Sequence, residues 1–322
     1  RVADELDHVV DVLHATTLAG SGYPAASSAF PGDHGAMVRL PSLPVRDERV
    51  REIAVAAAKG GGGLLGVGTA LVGAGVGVLV VQARMAKKAI GPRTTVPPYA
   101  DGRYLPPGED VARGTSLRLA VLGDSGAAGL GADDARSTPG GALAADLAAA
   151  SGRPVLLTNV AVVGARSADL EAQVDRVLAI RPHVAVIMIG ANDVTHSVRP
   201  QRSVRLLGDA VRRLREAGSE VVVGTCPDLG TVEPLAWALK QWARRVSAEL
   251  AAAQTIVVEA EGGIPVPLGL LLRDLFDAHP ALYFSADRFH PSALGYQACA
   301  EAMLPAVLGA LGLALPAPRS EE

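Results

Sequence analysis

The chain has 322 residues, of which 49% are hydrophobic and 20% charged, so it can bury a sizeable core of one large domain plus appendages. A formal net charge of -3 gives no electrostatic reason to expect a polyanion, and 3% aromatic residues argue against a base-stacking surface. We therefore expect no nucleic-acid partner. The two cysteines, Cys226 and Cys299, form no CxxC pair or metal-like cluster; they read as buried thiols, with a single disulfide open if the domain lies outside the cytoplasm.

Residues 1–60 form a polar segment without a strand pattern, with weak helix signals over 4–14 and 45–58. The first methionine is Met37, which leaves open whether 1–36 belong to the native protein. Residues 61–81 carry no charge, and as a helix they are long enough to cross about 30 Å of hydrocarbon. A single transmembrane anchor is expected over 61–83. Its glycines do not form a nucleotide loop, because no strand pattern precedes them and no Lys-Ser/Thr follows. Thr69, Gly73 and Gly77 lie four apart, a small-residue face on which two such helices can dimerise. Arg39, Arg46, Arg49, Arg51 and Lys59 before the run match Arg84, Lys87, Lys88, Arg93 and Arg103 after it. That balance leaves the side of the C-terminal domain open. Pro92, Pro97, Pro98, Pro106 and Pro107 mark 84–115 as an extended linker.

From 116 to 314 the pattern is regular, and 315–322 read as a tail. Apolar runs at 117–122, 155–160, 184–189, 220–225 and 255–260 fit buried parallel strands. Helix-like stretches fall at 141–150, 167–180, 202–217, 232–253, 268–276 and 292–311. The alternation predicts a three-layer α/β/α fold around a roughly five-stranded parallel sheet, with chemistry at the carboxyl ends of the strands.

Four small signatures lie at those ends. The first strand runs into Gly123-Asp124-Ser125, followed by small residues that leave the hydroxyl approachable. After the second strand, Gly164 opens a helix-forming stretch, where a backbone N–H is free for an anion. The third strand ends in Gly190-Ala191-Asn192-Asp193, an amide able to donate to an oxyanion without bringing charge. Asp287, Arg288, Phe289, His290 and Pro291 precede the last helix; Asp287 is spaced to orient the His290 ring as a general base. Taken singly, each reads more readily as an ordinary cap, loop or turn. His183 precedes the third strand, and His196 reads as a solvated loop residue more than as part of the cleft; the arginines between Arg199 and Arg215 read as a solvated face, and Trp237 and Trp242 as packing.

In this order the four blocks resemble the SGNH (GDSL-type) hydrolases across roughly 116–312. The resemblance implies a flavodoxin-like sheet, no cofactor and no metal. It implies Ser125 as nucleophile, His290 as base and then acid, and Asp287 as its orienter. The N–H groups of Ser125 and Gly164 and the Asn192 amide would form the oxyanion hole. Many members carry a larger residue where this chain has Gly126, which puts the shape of the adjacent pocket in question. The implied activity is hydrolysis of small-molecule or lipid acyl esters. O-acetyl groups on envelope glycans, acyl thioesters and a non-catalytic membrane-anchored binding module are the alternatives.

Overall fold

The computed structural model describes residues 96–108 and 115–314, together with Gln82 and Met85. Apart from Gln82, the expected anchor at 61–83 lies outside the described residues, as do the 1–60 segment, the Thr69/Gly73/Gly77 face and the 315–322 tail. Among the described residues no helix is long and apolar enough to cross a membrane.

The strands are β1 (Gly102–Tyr104), β2 (Leu117–Gly123), β3 (Val155–Asn159), β4 (Val184–Met188), β5 (Glu220–Gly224) and β6 (Ile264–Val266). They form one six-stranded sheet in the order β1-β3-β2-β4-β5-β6. β2 to β6 are parallel, and β1 runs antiparallel beside β3. The sheet is thus mixed, not purely parallel, and one of its strands lies in the Pro-rich stretch read as a linker. β1 is anchored locally. The Tyr104 hydroxyl donates to Ala100 O at 2.8 Å, and Asp101 Oδ1 accepts from Asn159 N at 2.7 Å.

Period-two alternation in the strands builds two cores. Leu117, Leu119 and Val121 of β2 join one core; Ala120 and Leu122 join the other. The first core is covered by α2 (Pro139–Ser151) and α10 (Ala293–Ala310), and the second by α3 (Leu170–Leu178), α5 (Pro200–Glu216) and α6 (Trp237–Ala260). Helices on both faces make the expected three layers.

The expected strand at 255–260 is instead the last turns of α6, and the fifth parallel strand is β6. Thr255, Ile256, Val257 and Val258 are β-branched and read as strand, but tertiary packing overrides that preference. Buried residues fall at Leu239, Ala243, Ser247, Leu250, Gln254 and Val258, the spacing of one helix face, while Ile256 is 70% exposed. β6 escaped notice because it is three residues long and holds Pro265, tolerated at a sheet edge. Trp237, expected to pack, is 77% exposed. Cys226 and Cys299 are buried and unpaired.

The chain passes from β2 to β3 on one side of β2, then to β4 on the other. The connections after β2 and β3 diverge at the carboxyl edge, which opens a crevice there.

Candidate active site

Ser125 begins α1 (Ser125–Ala128), directly after β2, where Asp124 caps the helix by accepting from Gly126 N at 2.9 Å. The turn demands glycine at 123. Its φ is 139°, and a Cβ there would lie 1.9 Å from Met188 O. Asn159 supports the other end of α1, donating from Nδ2 to Ala127 O at 2.9 Å. Asp101, the residue before β1, holds Asn159 in turn.

His290 arrives from the opposite end of the sequence. Ser285 N donates to His290 O at 2.8 Å, and Phe284 bridges to Pro291, which closes a tight loop before α10. Within this loop His290 Nε2 lies 3.0 Å from Ser125 Oγ, and Nδ1 lies 2.6 Å from Asp287 Oδ2. The other Asp287 oxygen accepts from Ser285 Oγ, Phe289 N and His290 N at 2.8–3.0 Å. Burial opposes ionisation of Asp287. The hydrogen bonds and charge of His290 and the backbone N–H groups outweigh it, and the carboxyl is held well below its ordinary range. An ionised carboxylate only accepts, so Nδ1 donates to Asp287, and in the neutral tautomer that this selects Nε2 faces the serine hydroxyl as acceptor.

Asn192 sits in α4 (Ala191–Thr195), buried, and donates from Nδ2 to Ala165 O at 2.9 Å. That bond uses one of the two amide hydrogens. Gly164 lies in the neighbouring turn with φ 85°, not at a helix start as the sequence led us to expect; the helix α3 opens only at Leu170, after a 3-10 turn at Ser167–Asp169. Asp193 reaches from α4 to the first residue of this turn. Asp193 accepts from Ser167 N at 3.1 Å and from Ser167 Oγ at 3.0 Å. Burial raises the Asp193 pKa, partly offset by these bonds. Val162 N also donates to Gly123 O at 3.1 Å. The segments carrying Ser125, Gly164 and Asn192 are therefore tied directly to one another.

Two buried glutamines that sequence reasoning missed hold the strand ends. Gln173 bonds Gly123, and Gln254 accepts from Cys226 N at 2.7 Å and donates to Ile189 O at 3.0 Å. Each occupies an apolar-face position of its helix, between Leu170 and Val174 or between Leu250 and Val258. A polar residue in such a place was the available signal. His183 belongs to the far edge of the sheet, where Nδ1 accepts from Arg118 N at 2.9 Å. His196 folds back on Asn192 O at 2.8 Å.

A cavity of about 140 Å³ opens beside Ser125 and His290. It is walled by the chain after β5, by α7 (Leu268–Leu271), α8 (Arg273–Ala278) and the loop that follows α9 (Pro280–Tyr283), and by α10. Gly126 lines it, so the small residue after the serine widens this side.

The sequence profile of the GDSL-like Lipase/Acylhydrolase family matches residues 121–298. A GDSL-like esterase of Mycobacterium tuberculosis is 43% identical over 267 residues, 81% of this chain and 85% of that protein. Among solved structures, TesA aligns with a TM-score of 0.50 at 23% identity, over 60% of this chain and 99% of TesA. A lipase/acylhydrolase from Enterococcus faecalis also aligns at 0.50, with 21% identity, over 63% of this chain and all of the other. These two structures share the α/β sheet fold.

Proposed function

The chain belongs to the GDSL-like lipase/acylhydrolase family, and from that premise we propose that it is a carboxylic ester hydrolase working through Ser125, His290 and Asp287. The observation that carries the residue roles is the 3.0 Å approach of His290 Nε2 to Ser125 Oγ, with Asp287 on the far ring nitrogen. A serine hydroxyl is a weak nucleophile at neutral pH and needs such a base.

In the first half-reaction Ser125 Oγ adds to the ester carbonyl as His290 takes its proton. Asp287 stabilises the resulting imidazolium without taking the proton itself. The carbonyl oxygen becomes an oxyanion, met by the N–H groups of Ser125 and Gly164 and by the second amide hydrogen of Asn192. Each preorganised donor contributes about 2.7–4 kcal/mol to lowering the barrier. His290 then protonates the departing alcohol and leaves an acyl-serine. In the second half-reaction His290 deprotonates water, which attacks the acyl-serine and releases the acid. No step draws on a metal or a cofactor.

Labelling with a fluorophosphonate tests the assignment. The intact chain should form one adduct, mapped by mass spectrometry to the Ser125 peptide, and Ser125→Ala should form none. An adduct elsewhere, or none in the unaltered chain, would contradict it.

We further propose that residues 61–83 tether this domain to a bilayer and pair through Thr69, Gly73 and Gly77. The uncharged run and its basic flanks support this. Retention of the full chain in alkaline-washed membranes is expected, with release when 61–81 are deleted. Recovery of the full chain in the wash refutes the tether, and protease treatment of intact cells assigns the side.

A further inference from the structure

The cavity beside Ser125 is built differently from the rest of the molecule. The chain has four phenylalanines, and three of them, Phe276, Phe284 and Phe289, line this one space. Phe276 meets Phe284 edge-on, with ring centroids 4.9 Å apart. Leu268, Leu272 and Cys299 extend the apolar wall. Burial pushes the Cys299 thiol up to about 12, so it is a neutral packing group.

Polar groups at the cavity are engaged within the protein. Asp228 accepts from Arg244 Nε at 3.0 Å, Arg273 Nε at 2.6 Å and Gly230 N at 2.8 Å. The Tyr296 hydroxyl donates to Leu130 O at 2.7 Å. Among the described residues no buried side-chain nitrogen or oxygen lacks a partner. A sugar ring seated here would give up the hydration of its hydroxyls against an apolar wall. An alkyl chain has no such loss and gains by leaving water.

We infer that this cavity takes an apolar acyl chain of about six carbons, which makes the substrate class a medium-chain acyl ester rather than an O-acetyl group. The inference rests on the reading of Ser125 as nucleophile. The length follows from volume: an apolar cavity of about 150 Å³ holds benzene, and this one has about 140 Å³. Gly224, at the end of β5, sets the width at one side. A Cβ there would lie 2.5 Å from Leu268 Cδ1 and 3.1 Å from Met188 Cγ, so a larger residue must displace side chains of the wall. Cys299 bounds another side from α10.

The test uses the full chain with p-nitrophenyl acetate, hexanoate and hexadecanoate, and with hexyl acetate as the alcohol-side control. At about fourfold per buried methylene, kcat/KM should rise on the order of 100-fold from acetate to hexanoate. No further gain is expected at hexadecanoate. Gly224→Val and Cys299→Met each narrow the cavity and should lower the hexanoate-to-acetate ratio by about tenfold or more. Two variants are used so that a folding defect in one, seen by its Tm, leaves the other to decide. A flat or falling profile overturns the inference, as does a chain-length gain appearing in the alcohol of hexyl acetate. Either result leaves the nucleophile standing, because Ser125→Ala on p-nitrophenyl acetate tests that separately.

Discussion

Gln173 grips Gly123 by both of its backbone groups. The glutamine Oε1 accepts from Gly123 N at 2.7 Å, and its Nε2 donates to Gly123 O at 2.9 Å, all of it buried. Gly123 is two residues before Ser125, at a φ of 139° that only glycine holds without strain. The bracket from α3 is what fixes the end of β2, and with it the direction of the serine turn.

Gln173→Leu keeps the volume and removes both bonds. With Gly123 N left unpaired and Gly123 O still accepting from Val162 N, urea unfolding should lose roughly 1–3 kcal/mol of stability. At a temperature where the variant is still fully folded, kcat should fall while KM changes little, since the loss is in positioning. An unchanged kcat in the folded variant would reduce Gln173 to a packing residue.

Asp287→Asn removes the charge that favours the imidazolium and frees the His290 tautomer. A drop on the order of 10³–10⁴-fold in kcat is expected. Stability should respond to pH in a defined direction. The carboxyl is depressed in the folded state, so its contribution is complete above the ordinary carboxylate pKa of about 3.9 and is lost as pH falls towards the lower folded value. The stability gap between the native chain and Asp287→Asn should thus be constant above about pH 5 and shrink below about pH 4. Urea midpoints measured across that range check the sign; a gap that widens in acid would contradict it.

Asn192→Ala deletes one proposed oxyanion donor. Its effect should fall on kcat, by about 10²–10³-fold, with KM nearly unchanged. Because Nδ2 also donates to Ala165 O, a control is needed. Asn192→Asp, isosteric but an acceptor when ionised, should be at least as inactive. Activity retained in both variants would remove Asn192 from the oxyanion hole.

Much of this was legible in the sequence because physical chemistry leaves few choices there. A strand buried on both faces reads as a near-continuous apolar run, so β2, β3, β4 and β5 stood out. A nucleophile at a strand end needs small neighbours, and a histidine base needs a nearby acceptor, so Ser125, His290 and Asp287 were visible as residue types at the right edges. Thr255–Val258 were misread because local preference is weak against one-sided burial along α6. β1 and β6 are three residues each and carry no period to detect. Gly164 was expected at a helix start, but it lies in a turn, and three residues on Ser167 is held by Asp193 reaching across from α4. The cavity was out of reach. Its wall joins the β4 and β5 ends to residues 268–299, and only the folded chain brings three phenylalanines to one place.

The most direct test of the account is hydrolysis of p-nitrophenyl acetate by the full chain and by Ser125→Ala, with folding matched by Tm. The serine loses only its Oγ, so structure should be preserved while covalent catalysis is abolished. A fall of at least about 10³-fold in kcat, with the protein still folded, is the predicted result. Turnover by Ser125→Ala within a few-fold of the unaltered chain would contradict it.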